Sequence, residues 1–197
     1  MFITFEGQDW SGKSTQAALL AEALRSEGRE VVATREPGGT PVGEQVRQLL
    51  LDGPEMSAWA EAALFAAARA EHVAALIRPA LDRGADVVCD RYVDSSLVYQ
   101  GIARGLGVEA VLELNLAVTG GLLPDRTFVL DVDPETARAR HSAGLDRIES
   151  EDDAFRGVVA DGYRQLETLF PNRVVLLDAT LPPDEIAAHV RDSLRDS

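Results

Sequence analysis

The chain has 197 residues, 46% hydrophobic and 26% charged, with 16 Gly, 9 Pro and one Cys. That composition suits a single globular domain over residues 1–197 and excludes long disorder, a disulfide framework and a Cys-built zinc or iron–sulfur site. The formal net charge of −14 would repel a polyanion such as DNA from most of the surface; no apolar run nears the roughly 18 residues of a membrane helix, and MFITFEGQDW lacks the basic start of a secretory signal, so the cytoplasm is the expected compartment.

In chain order, residues 2–6 (FITFE) form a short apolar strand, and a glycine-containing turn leads into a helix over 13–25 that ends before Gly28. A second strand at 30–34 completes a first βαβ unit, and 36–43 (EPGGTPVG) is a Pro/Gly loop. Helices follow at 43–51 and 57–82, then a strand at 85–89 (ADVVC) that stops at Asp90. Helical stretches at 95–104 and 108–119 precede strands at 127–132 and 173–177. Between those strands lie a short helix from Pro134, a polar arginine-bearing segment around 140–149 and a helix over 152–169. The last helix starts at Pro183. Strands alternating with helices give an α/β fold, a parallel sheet covered on both faces.

Gly7-Gln8-Asp9-Trp10-Ser11-Gly12-Lys13-Ser14 fits G-x-x-x-x-G-K-[ST] and lies between a strand and a helix, as a phosphate-binding loop requires. Glycines let backbone N–H groups turn toward phosphate oxygens, and the helix that begins there adds its positive end. Eighteen of the nineteen basic residues are Arg, and the single lysine is Lys13, within this loop. A compact ammonium suits the β/γ-phosphates, and Ser14 offers its hydroxyl to Mg²⁺. Asp90, at a strand end, is a second candidate for the metal or its water shell. Arg35, Arg91, Arg140 and Arg147 fall in loops or at strand ends, while Arg69 lies one turn after Phe65 on the same helical face. His72, His141 and His189 belong to no evident constellation, and Cys89 reads as buried and inert.

Five blocks, FEGQDWSGKST (5–15), TREPGGTPVGE (34–44), ALFAAARAEHV (63–73), DRYVDSSLVYQG (90–101) and LDRIESED (145–152), together resemble the bacterial thymidylate kinases. The resemblance implies a three-layer P-loop NTPase fold with a five-stranded parallel sheet and a short lid at about 140–151. It also implies a homodimer, ATP and Mg²⁺, and phosphorylation of dTMP to dTDP in dTTP biosynthesis. Under it, Gly7, Gln8, Asp9, Trp10, Ser11, Gly12, Lys13, Ser14, Thr15 and Arg140 hold ATP. Phe65 stacks on thymine, Arg69 meets the thymine edge, and Ser96 and Gln100 line the base. Tyr99 packs by the deoxyribose, Arg35 and Arg91 hold the acceptor phosphate, and Asp9 approaches the sugar or that phosphate. Lys13, Arg91, Arg147 and Asp9 form the expected catalytic set. Trp10 brings no charge to the loop, so Arg147, helped by Arg140, is expected to neutralise the transferred phosphoryl. Ala68 stands where the family commonly has an acid, which leaves open what holds Arg69.

Other nucleotide-binding classes fit less well. A regulatory GTPase needs a second lysine for N-K-x-D, and a transporter-type ATPase needs an L-S-G-G-Q-like signature; the chain has neither. A deoxynucleoside kinase would not need several arginines for an acceptor phosphate. A non-enzymatic nucleotide-binding module could keep Lys13 yet lack productive lid arginines.

Overall fold

The first strand, β1 (Phe2–Glu6), is buried at every position, the pattern of a central parallel strand with both faces covered. It pairs in parallel with β3 (Asp86–Asp90) on one side and β4 (Arg126–Asp131) on the other. β2 (Val31–Arg35) and β5 (Val174–Asp178) add the edges, for an all-parallel order β2-β3-β1-β4-β5. The computed structural model describes residues 1–140 and 146–195.

Period-2 alternation sends neighbouring strand residues to opposite faces. Phe2 and Val87 join one apolar cluster with Tyr92, Leu97 and Tyr163; Ile3 and Val88 join another with Leu20, Phe128 and Leu130. The helices covering these faces are α1 (Lys13–Ser26), α2 (Pro41–Asp52), α3 (Ala58–His72), α4 (Arg78–Asp82), α5 (Val93–Ser96), α6 (Val108–Thr119), α7 (Pro134–Ala139), α8 (Asp153–Leu169) and α9 (Pro183–Arg195). A three-layer α/β fold with five parallel strands results, as expected.

The boundaries depart from the sequence reading in instructive ways. The Pro/Gly loop ends earlier than expected, because Thr40 caps α2, accepting from the Gly43 N–H at 3.0 Å, and Pro41 suits the first helical position. The expected single helix at 57–82 is α3 and α4 joined through a π-helical turn, Val73–Ile77. Pro79 cannot donate to the preceding turn, and the ladder widens just before it. A second π-helical stretch, Leu97–Ala103, extends α5. Of the expected lid, residues 141–145, including His141, lie outside the described residues.

Strand order reverses around β1, so the carboxyl ends of β1 and β3 open onto a crevice, the usual ligand position in a doubly wound sheet. The loop after β1 and the Asp90–Arg91 turn after β3 meet there.

Candidate active site

The loop between β1 and α1 keeps its shape through its backbone. Gly7 has φ 133°, and a Cβ there would stand 2.6 Å from the Leu130 carbonyl oxygen. Gly12 has φ 102°. Trp10, a residue type seldom found there, also takes a positive φ of 62°, a strained choice of the kind that clusters at ligand sites. Helices α2, α3, α7 and α8 are capped by side chains, whereas no side chain caps α1. Its first N–H groups therefore remain available to an anion.

Lys13 donates to the Gln8 carbonyl at 2.8 Å. Burial and the nearby Arg91 push its ammonium pKa down to about 8, although Asp9, Asp90 and Glu6 pull the other way. Ser14 donates to Asp90 Oδ2. The other oxygen of Asp90, Oδ1, is buried with no partner among the described residues. A hydroxyl and a carboxylate with a spare lone-pair oxygen suit a hard, oxygen-seeking divalent cation.

The cavity over this loop measures about 830 Å³ and is lined by residues 9–16, Arg35, Arg47, Asp90, Arg91, Arg140 and the 179–183 segment. Arg140 reaches that wall by donating to the Ala179 carbonyl at 2.9 Å. Arg35 forms a pair with Glu44 at 3.0 Å while remaining exposed. Arg47 was missed by sequence reasoning. It follows Gly43 by one helical turn and donates to the Pro37 carbonyl at 2.9 Å, and nothing in its immediate sequence sets it apart from a surface arginine.

A second, smaller cavity of about 130 Å³ adjoins the first and holds Phe65, Arg69, Ser96, Tyr99 and Gln100, with Asp9, Glu36, Arg47, Arg91 and Glu149 shared between the two. Arg91 is the hinge of this arrangement. Its φ is 68°, and its guanidinium donates to Asp9, to Ser95 Oγ at 3.0 Å and to Tyr163 at 2.8 Å. Burial disfavours the Asp9 charge, but Arg91 and Lys13 outweigh it and hold its carboxyl below the usual range. Tyr99 donates to the other Asp9 oxygen at 3.2 Å.

Behind Arg91 lies Glu6, also missed from sequence. It accepts from the Tyr92 N–H at 2.7 Å and from Ser95 Oγ at 2.6 Å. Burial, reinforced by Asp94, pushes its carboxyl up to about 7 against the pull of Arg91.

Arg69 is 1% exposed. Glu36, rather than any neighbour in its own helix, holds it at 2.8 Å. Ser96 accepts at 3.0 Å, the Tyr92 carbonyl at 2.9 Å, and Asn115 also accepts. Ala68 therefore leaves no gap. His72, far from being isolated, is fully buried and bonds Glu36 at 2.9 Å and Thr34 at 2.7 Å. Cys89 is buried, and burial pushes its thiol up, in keeping with an inert side chain. His189 is exposed.

Five of the six basic residues singled out in the sequence line these two cavities: Lys13, Arg35, Arg69, Arg91 and Arg140. Arg147 does not. Its guanidinium donates to Glu61 and to the Leu50 carbonyl, both at 2.8 Å, and it lines a separate surface depression with Arg104 and Glu151. Among the described residues no helix is long and apolar enough to cross a membrane.

The thymidylate kinase family model matches residues 5–190. The thymidylate kinase of Symbiobacterium thermophilum is 50% identical over 194 residues, covering 97% of this chain and 91% of that protein. That of Deinococcus radiodurans is 45% identical over 193 residues, covering 96% and 94%. The crystal structure of thymidylate kinase from Ehrlichia chaffeensis superposes with a TM-score of 0.79 at 36% identity, over 98% of both chains. Match of sequence, fold and P-loop along nearly the whole length has one reading: this chain belongs to the thymidylate kinase family.

Proposed function

We propose that this chain transfers the γ-phosphoryl group of ATP directly to dTMP, giving dTDP and ADP on the route to dTTP. The observation that carries this reading is the junction of two unlike cavities at Asp9 and Arg91, one built over the phosphate-binding loop and one lined by Phe65, Arg69 and Gln100. ATP phosphates lie in the first, against Lys13 and the uncapped start of α1, with Arg140 also in the lining. The thymine ring lies in the second, where Phe65 offers a face, Ser96 and Gln100 line the edge, and Tyr99 packs beside the sugar. Arg35, Arg47 and Arg91 hold the acceptor phosphate near the junction.

The phosphate oxygen of the acceptor is already ionised near neutral pH, so no covalent intermediate or strong base is needed. The protein supplies alignment and charge compensation. Ser14 and Asp90 would hold Mg²⁺, which would supply charge neutralisation for the phosphates. Arg147 contributes to the transferring group only if it exchanges Glu61 for phosphate. With these go a single kinase domain, a homodimer and a cytoplasmic location, all carried by the family resemblance.

A coupled ADP-release assay across dTMP, dUMP, dCMP, dGMP and thymidine tests the reading. dTMP should be the best acceptor. Thymidine outperforming dTMP would remove the acceptor assignment, and no turnover at all would remove the kinase.

A further inference from the structure

Gln100 lies in the π-helical extension of α5, is 1% exposed and lines the smaller cavity. A side-chain amide has a donor end and an acceptor end, and which end faces a ligand decides what the ligand must offer. Here the choice is made by a neighbour. Gln100 Nε2 donates to Glu61 Oε1 at 2.9 Å, and Glu61, in the first turn of α3, is itself only 2% exposed.

An ionised carboxylate only accepts. Burial opposes the Glu61 charge, but Gln100, Arg147 and Arg104 outweigh it and keep the carboxyl below its usual range. Arg147 donates to Oε2 at 2.8 Å, and Arg104 donates to Oε1 at 3.3 Å and to Oε2 at 3.4 Å. The NH₂ of Gln100 must therefore face Glu61, which leaves its Oε1 as the atom offered to the cavity. Arg69 is the complementary wall. Four of its five N–H donors are engaged by Glu36, Ser96, Asn115 and the Tyr92 carbonyl, and the remaining one is a pure donor.

We infer that Glu61 is a positioning residue that fixes the polarity of the Gln100 amide, and so restricts the base to a pyrimidine with an N3–H donor and a 4-carbonyl acceptor. The inference rests on the proposed function, since it assigns the base to this cavity. Thymine and uracil meet an acceptor with N3–H and a donor with O4. Cytosine opposes both, with a lone pair on N3 and an amine at C4. A site whose buried polar groups are left unpaired by the wrong ligand discriminates far more strongly than one that measures shape.

Glu61→Gln tests this polarity, because the arginines dictate how the new amide turns. Two arginine donors meet Oε2, Arg147 at 2.8 Å and Arg104 at 3.4 Å, against one longer contact at Oε1, Arg104 at 3.3 Å, so its oxygen turns to Arg147 and its NH₂ to Gln100. Gln100 must then reverse and present its own NH₂ to the cavity. We expect kcat/KM for dTMP to fall, that for dCMP to rise in absolute terms, and their ratio to drop by about tenfold or more. Glu61→Asp keeps a group that only accepts, so the ratio should hold within about threefold even where both rates decline. Glu61→Ala frees the amide to take either orientation, and its ratio should fall between the two. It also serves where E61Q does not fold.

Equal losses for dTMP and dCMP in E61Q or E61A would mark Glu61 as merely structural and overturn the inference. So would a drop in E61D as large as that in E61Q. Failure of the function itself looks different: wild-type protein that phosphorylates no pyrimidine nucleoside monophosphate. Wild-type preference for dTMP with an unchanged ratio in the variants overturns the inference alone.

Discussion

The two cavities are built on opposite principles. The larger one, over the phosphate-binding loop, is shaped by backbone: positive φ at Gly7, Trp10 and Gly12, an uncapped helix start, and cations at its wall. The smaller one is shaped by buried side chains that satisfy one another, with Arg69, Glu36, His72, Ser96, Glu61 and Gln100 all nearly inaccessible. A phosphate demands charge and N–H groups and tolerates an open site. A base demands a particular donor and acceptor order, which only a fixed polar network maintains.

Substitution should therefore separate function from stability across the two regions. Lys13→Met is expected to lower kcat by about 10³-fold or more, since its charge acts on the transferring phosphates. Its stability should be unchanged or higher, because the substitution removes an ammonium that burial and Arg91 already disfavour. Steady-state kinetics and a thermal melt on the same preparation check both halves. A variant that loses activity by melting early would erase the contrast.

Arg69→Met should cost stability where Lys13→Met does not. It leaves Glu36 in the interior with His72 but without its guanidinium, and removing one partner of a buried pair costs about 3–5 kcal/mol. Adding Glu36→Gln should restore part of that loss, because the stranded carboxylate is then gone. Urea unfolding of the single and double variants measures this. A single-variant cost below about 1 kcal/mol, the range of an exposed pair, would place Arg69 among surface arginines.

The same contrast explains what was legible in the sequence. A backbone-built site is contiguous, so residues 7–14 announced it, and the strand-end position of Asp90 followed from the apolar run before it. A side-chain site is assembled at a distance. Glu36 and Arg69 are 33 positions apart and Glu61 and Gln100 39 apart, with no period linking them. Phe65, Arg69 and Gln100 came from family resemblance; their partners Glu36, Glu61 and His72 came only from the fold. The two lid arginines parted for a related reason. Nothing local distinguishes Arg140, drawn to the cleft by the Ala179 carbonyl, from Arg147, drawn away by Glu61.

The smallest expected effect lies where the two regions join, beneath Arg91. Glu6 is fully inaccessible, with Asp94 raising its pKa and Arg91 lowering it, Tyr163 against it and Lys13 within electrostatic reach. In the unfolded chain its carboxyl ionises near 4.5, and in the folded protein near 7. Between those values the native state holds a proton that the unfolded state has released. The stability this contributes is complete below about pH 4.5, declines as pH rises, and is gone above about pH 7. Glu6→Gln cannot titrate yet still offers an oxygen to the Tyr92 N–H, so it should gain on the wild type by on the order of 2 kcal/mol across that window. Urea midpoints at half-unit steps from pH 4.5 to 7.5 give the difference curve. Parallel curves would show that Glu6 is already ionised in the native protein, and that the acid beneath Arg91 is a fixed counter-charge belonging with the phosphate side of the site.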